Sequence, residues 1–381
     1  MPHHLADPEL RLPPEVRAGV HGAEYDTPLL LPSAAVQAPR PLGLIVNPLS
    51  GRDVRRLLGR AGNDTPDAKR NQLERAAIGA AMAGVERILW TPDVFRIAEH
   101  ALEYLPIDAT CERLDLGRPE TRPADTLRSV EAMRAAGCGA LLVLGGDGTN
   151  RLVATAWPDA PIVPLSTGTN NVFPALVEPT LAGAAAGLVA AGRLALAEVA
   201  ERAKVVRIRC ADGAASLALV DAGFLVDDTL GSLLALDPAK LRTLVLARAE
   251  PASVGLSPLG GLLEPCGRAD DFGVEVLCGA GGRALLAPIS PGVYRTALVT
   301  QTRRLALGEG VEVKGPGVLA CDGDRERMLA PGERAELRVL RDGPWVIDVP
   351  RALALAAARG LYQDRPHVHE PDDGGDGPGC C

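Results

Sequence analysis

Aromatic residues are scarce in this 381-residue chain, at 3%, and lysine is scarcer, with only Lys69, Lys204, Lys240 and Lys314 against 36 arginines. None of the four lysines follows a glycine, which excludes a Walker phosphate loop. A second common motif fails because the glycine-rich dinucleotide fingerprint needs a glycine where Arg151 stands. Acids outnumber bases, and a formal charge of -8 with a pI near 5.4 speaks against a nucleic-acid partner or a polybasic membrane surface. No window offers about 20 apolar residues free of charge, and the first residues lack the cationic, apolar, small-residue order of a secretory signal. A soluble, cytoplasmic protein without stable membrane association is the expectation. The eight cysteines are scattered, with no C-x-x-C pair and no His-rich ligand set, so reduced thiols are expected and a structural zinc is not.

What is present is organised around Ala140 to Asn150, Ala-Leu-Leu-Val-Leu-Gly-Gly-Asp-Gly-Thr-Asn. The uncharged apolar run predicts a strand buried on both faces, and Asn150 to Trp157 predicts the helix behind it. Gly145 to Thr149 then form a loop between a strand's carboxyl end and a helix amino terminus. Free backbone N–H groups at such a place bind phosphate, and glycine lets the main chain approach closely. Asp147 is the odd member. A carboxylate among phosphate-binding amides repels its ligand unless it takes a proton or holds a metal ion. Two further runs break into turns in the same way: Leu42 to Val46 into Asn47-Pro48-Leu49-Ser50-Gly51-Arg52, with a helix at Asp53 to Arg60, and Pro161 to Leu165 into Ser166-Thr167-Gly168-Thr169-Asn170-Asn171-Val172-Phe173-Pro174. The small polar side chains of the last turn can donate to phosphate or ribose oxygens.

Between these turns, helical and strand patterns alternate at Asp67 to Ala83, Arg87 to Thr91, Phe95 to Leu105, Ala109 to Leu114 and Thr126 to Ala136. This rhythm predicts a doubly wound α/β lobe over residues 41–202, with all three turns facing one crevice at the carboxyl ends of the strands. Its last element is an Ala-rich helix from Leu181 to Ala200. Short alternating runs beyond Lys204 predict a β-rich lobe over residues 203–350, with helix and a loop between Pro238 and Leu263. Residues 1–40 read as a Pro-rich flexible leader, 351–363 as a closing helix returning to the first lobe, and 364–381 as a disordered acidic tail.

The Gly-Gly-Asp-Gly-Thr string resembles the signature shared by NAD kinases, diacylglycerol kinases and sphingosine kinases. With Asn47-Pro48, the Ser166 to Pro174 turn and a late Asp322-Gly323-Asp324, residues 42 to 350 look most like the AcoX group, bacterial proteins grouped with ATP-dependent NAD kinases. The resemblance implies a two-lobe NAD kinase/diacylglycerol kinase-like fold, an α/β lobe followed by a β-sandwich lobe. It also implies ATP and Mg2+ as cofactors and transfer of a phosphoryl group to the 2′-hydroxyl of NAD or NADH. Asp147 is the expected base. The expected ATP-binding set is Asn47, Ser50, Gly51, Gly145, Gly146, Gly148, Thr149, Thr167, Gly168 and Thr169. Asn150, Asn170, Asn171 and Asp221 are expected to touch the acceptor, and Asp322 and Asp324 to hold Mg2+ through water or to buttress the base. Two departures bear on the acceptor: Val172 stands where lipid kinases carry Asp, and Leu219-Val220-Asp221-Ala222 stands where NAD kinases carry Asn-Glu. A diacylglycerol-type lipid kinase is the alternative, set back by the few aromatics and the lack of a basic amphipathic helix. A catalytically weak nucleotide-binding regulator is the other. A homo-oligomer is compatible with the chain.

Overall fold

In the computed structural model, the residues described are 38–50, 65–167, 171–231 and 237–363, all within the unit Ala34–Cys381. The expected leader, the helix at Asp53 to Arg60 and the tail fall outside them, the leader save for its last residues. The chain enters through β1 (Leu42–Val46), α1 (Pro66–Met82), β2 (Arg87–Trp90), α2 (Ile97–Leu102), β3 (Thr110–Arg113), α3 (Pro123–Ala135), β4 (Ala140–Gly145), α4 (Asp147–Ala156), β5 (Pro161–Ser166), α5 (Pro179–Ala190), α6 (Leu196–Val199) and β6 (Ala200–Arg202). The strands β3-β2-β1-β4-β5 lie in that order and run parallel. The winding therefore reverses between β1 and β4, and a crevice opens at such a switch point. Every residue of β4 is buried, as expected of a strand covered on both faces. Its pleat sends Ala140, Leu142 and Leu144 toward α1 and α5, and Leu141 and Val143 toward α3 and α4.

Helices α1 and α5 pack through small residues, so that a Cβ on Gly183 would be driven into the Ala76 carbonyl. The helix expected from Leu181 to Ala200 stops at Ala190, because Gly192 takes a left-handed backbone (φ 68°) that ends it. A new turn, α6, and the short strand β6 follow.

The antiparallel part comprises β7 (Val205–Cys210), β8 (Ala215–Ala218), β9 (Asp221–Leu225), β10 (Leu241–Leu246), α7 (Ser257–Gly261), β11 (Phe272–Ser290), β12 (Val293–Ala306), β13 (Gly310–Lys314), β14 (Gly317–Cys321), β15 (Asp324–Leu329) and β16 (Arg334–Leu340). A six-stranded sheet, β12-β11-β10-β9-β14-β15, packs on a four-stranded one, β13-β16-β7-β8, through Val206, Ile208, Phe224, Val245, Leu337 and Val339. Two alternating runs of the sequence, Gly273 to Cys278 and Arg283 to Ala287, are one strand, β11, whose register against β12 shifts between Cys278 and Arg283. The stretch from Pro238 to Leu263 holds the central strand β10 as well as a helical turn and α7.

The chain then returns. β17 (Trp345–Ile347) inserts between β5 and β6, and α8 (Val349–Ala358) packs on the α5 side of the first sheet. Residues 345–347 thus belong to the seven-stranded sheet, although they follow the β-rich pattern in sequence. Asp348 caps α8 by accepting from the Arg351 N–H. Among the described residues no helix is long and apolar enough to cross a membrane.

Candidate active site

Val46 pairs with Leu144, so the turns leaving β1 and β4 emerge side by side. They are tied directly: Asn47 N–H donates to the Leu144 carbonyl at 3.0 Å, and Asn47 Nδ2 donates to Thr149 Oγ1 at 2.8 Å. Asn47 also closes its own turn, its Oδ1 accepting from Leu49 and Ser50 N–H. Helix α4 begins at Asp147, with Gly146 at the capping position, three residues earlier than the sequence suggests. Asp147 is therefore the first helical residue rather than a loop residue, favoured there because a carboxylate complements a helix amino terminus. Gly146 is not left-handed (φ −95°). A Cβ there would lie 2.8 Å from Asn171 Oδ1, so a larger residue would have to push that side chain aside.

The third turn supplies the grip on Asp147. Phe173 N–H donates to its Oδ1 at 2.8 Å and Val172 N–H to both oxygens at 3.2 Å. Burial nevertheless dominates: together with the nearby Asp322 charge it pushes the Asp147 carboxyl up to about 7, against the two amides and Arg248. Arg248, itself buried, donates to the Val172 and Phe173 carbonyls at 3.0 and 3.3 Å and lies over the Phe173 ring at 4.7 Å. The third turn is thus held from one side by Arg248, while it holds Asp147 on the other.

The antiparallel part adds a second acidic group. Asp322, in a left-handed backbone between β14 and β15, buries its carboxylate completely and accepts from Leu219, Val220 and Asp221 N–H at 2.8 to 3.3 Å. Arg151 of α4 reaches across to it, with Nε 3.6 Å from Asp322, Nη2 3.1 Å from Asp324 and Nη1 2.6 Å from Glu326. Burial works against the Arg151 charge, but these acids outweigh it and hold its pKa above the usual value. Asp221, at the start of β9, is 7% exposed, and its Oδ1 is buried without a hydrogen-bond partner. Burial first, then the charges of Asp322, Asp147 and Asp324, raise its pKa well above the ordinary carboxylate range.

These groups converge on one crevice of about 1650 Å3. Of the residues expected from sequence, Asn47, Ser50, Gly146, Asp147, Gly148, Thr149, Thr167, Asn171, Asp221, Asp322 and Asp324 line it. Gly145 and Asn150 do not: both are buried one layer behind, where Asn150 Nδ2 donates back to the Gly146 carbonyl. Gly51, Gly168, Thr169 and Asn170 lie outside the described residues. Among the described residues no group of three or more His, Cys, Asp or Glu is placed to hold a metal ion. Asp322 is an unsuitable ligand, since its oxygens already accept from three amides. Asp221 and Asp324 remain, and Mg2+ bound with nucleotide phosphates needs only one or two protein carboxylates. Arg151 and Arg248 were not singled out by sequence. Arg151 stands four residues after Asp147, the spacing that puts two side chains on one helix face, and that signal was there to read. Arg248 has no local signal.

Residues 42–194 match the ATP-NAD kinase N-terminal domain and residues 204–342 the acetoin catabolism protein X C-terminal domain. The acetoin catabolism protein X of Cupriavidus necator is 34% identical over 347 residues, 87% of this chain and 97% of that protein. Among solved structures, yeast NADH kinase complexed with NADH superposes with a TM-score of 0.51 at 12% identity, over 88% of this chain and 91% of that one. An NAD kinase from Archaeoglobus fulgidus in complex with ATP gives 0.41 at 14% identity, over 73% and 99%.

Proposed function

The chain belongs to the acetoin catabolism protein X family, and from that premise we propose that it is an ATP-dependent kinase that phosphorylates a hydroxyl acceptor, the 2′-hydroxyl of NAD or NADH before others. The observation that carries the reading is Asp147: a carboxylate at the amino terminus of α4, held by two amides, with its pKa raised to about 7 at the mouth of a glycine turn. A base works best when its pKa lies near the working pH. In the proposed reaction the acceptor oxygen attacks the γ-phosphorus, the bond to the ADP oxygen breaks, and the hydroxyl proton passes to Asp147. Asn47, Ser50, Gly146, Gly148, Thr149 and Thr167 surround the ATP phosphates, with Gly51, Gly168 and Thr169 assigned to the same role. The Thr167 hydroxyl, 1% exposed and without a partner among the described residues, is suited to donate to a phosphate oxygen. Asn171 and Asp221 face the acceptor, with Asn170 assigned to the same role. Asp221 and Asp324 would hold Mg2+, which when bound neutralises phosphate charge. Asp322 keeps the lining rigid beneath them.

The match of residues 42–194 to the ATP-NAD kinase N-terminal domain is what supports a dinucleotide acceptor. The test is purified protein with ATP and Mg2+ against NAD, NADH and diacylglycerol, with products resolved by chromatography. NADP or NADPH is the expected product. Phosphatidic acid would reassign the acceptor, and ATP binding without transfer to any of the three would leave a nucleotide-binding regulator.

A further inference from the structure

Lys69 is the largest of the fully buried side chains and one of only four lysines in the chain. Its position is doubly unfavourable for a cation. It is wholly removed from water, and it sits in the first turn of α1, where the helix dipole opposes positive charge. The compensation is specific: Nζ donates to the carbonyls of Asn47 at 2.9 Å, Pro48 at 2.9 Å and Ser50 at 2.6 Å. Three N–H groups meet three converging oxygens, all from the turn that leaves β1. Nearby, the Asp93 carboxylate, itself 8% exposed and receiving the Phe95 and Ala98 N–H groups, offsets the charge.

The consequence for the crevice follows from which groups this leaves free. With its carbonyls turned inward onto Lys69, the turn is closed by Asn47 Oδ1 and tied to Thr149 through Asn47 Nδ2. Three of its carbonyls are thus engaged by Lys69 rather than offered to the crevice, and the ammonium lies behind the turn in a low-dielectric interior where charge is felt more strongly. Arginine cannot replace this geometry. Its planar fork suits carboxylates and phosphates, whereas three oxygens around a point require a compact ammonium. That a chain with 36 arginines keeps lysine here is consistent with the requirement.

We propose that Lys69 is a positioning residue for the nucleotide: it shapes the Asn47 to Ser50 turn and lends its buried charge to the phosphates bound on the turn's other side. The inference rests on the kinase reading above. Its test is ATP binding by calorimetry to the wild-type chain, to Lys69→Met and to Leu73→Ala, a buried residue of the hydrophobic core one turn along the same helix. Lys69→Met is expected to weaken ATP binding at least about tenfold and to raise the KM for ATP while kcat stays within about twofold. Leu73→Ala should lose thermal stability but keep its affinity for ATP. If both variants lose affinity in step with stability, or if Lys69→Met binds ATP normally, the proposal is overturned. Should Lys69→Met not fold, Lys69→Arg keeps the charge but not the three-way geometry, and undiminished ATP affinity in that variant overturns the proposal equally. A wild-type chain that binds no ATP overturns the kinase reading itself, a result distinct from either.

Discussion

The parallel and antiparallel parts of the molecule build the same crevice by different means. The parallel part contributes turns: each of its site residues lies within a few positions of a strand end, and the turns after β1, β4 and β5 are brought together by sheet order alone. The antiparallel part contributes residues that become neighbours only through register, as when Cys321 pairs with Ala222 and thereby sets the Asp322 carboxylate under the Leu219 to Asp221 amides. The two are joined by an exchange of arginines, Arg151 reaching into the second part and Arg248 into the first. The placing of the turns is therefore set within the first part, with Arg248 of the second bracing the third turn. The charge state of the crevice is a property of the contact between the two.

Asp147→Asn tests that division most severely. Turnover is expected to fall by about 10² to 10⁴ while ATP affinity remains, because the near-isosteric amide leaves the cradle's shape alone. Stability should move the other way. The folded-state pKa of Asp147 is raised above its unfolded value, so its contribution is fully present below about pH 4 and is lost as pH rises through about 7. Asn does not titrate. The melting temperature of the variant relative to wild type should thus increase between pH 5 and pH 8, and a constant difference would show that Asp147 is not perturbed.

Arg151→Met addresses the exchange. It leaves the fully buried Asp322 beside Asp221 without its cation, and breaking a buried pair typically costs about 3 to 5 kcal/mol. Denaturant unfolding should show that loss, and adding Asp322→Asn should recover part of it, since the two act on one interaction. Strict additivity would mean the pair is not coupled.

The legibility of the sequence follows the same line. The three turns, Asp147 and the order of α/β elements can be read because strand, glycine and helix are contiguous. Helix α4 starting at Asp147 could not be placed, since Gly146 and Gly148 mask where helical backbone begins. In the antiparallel part β9 is not legible: its five residues, Asp221 to Leu225, are all buried and show no alternation. β10 was hidden in a stretch flanked by helical turns, and β17 cannot be told from a β-rich neighbour by pattern, because its partners lie some 140 to 180 residues earlier, at Pro161 and Arg202. Arg248 is the same case at a single residue.

A substitution far from the charges sharpens the contrast. Gly183→Ala would force α5 off the Ala76 carbonyl of α1 and should cost about 1 to 3 kcal/mol by overpacking. Because neither helix carries a residue that touches the acceptor, kcat at saturating substrate should be unchanged at temperatures where the variant is folded. A large fall in kcat would show that the packing of the parallel part, and not only its turns, sets the chemistry.

The smallest expected effect concerns Mg2+ without nucleotide. At pH 5 Asp147, with its pKa raised to about 7, holds its proton, and burial with the neighbouring acids works against charge on Asp221 as well, so the crevice offers the ion little. At pH 8 Asp147 has lost its proton, and a cation competes with protons for Asp221, whose Oδ1 has no hydrogen-bond partner. Mg2+ alone should then raise the melting temperature by about 1 to 2 °C at pH 8, the size expected of weak binding to the folded state, and by nothing measurable at pH 5. Asp221→Asn should reduce the rise at pH 8, because an amide oxygen offers the ion no charge. The same rise at both pH values, or one undiminished in Asp221→Asn, would locate the cation away from Asp221 and leave the acidity of the crevice to proton chemistry alone.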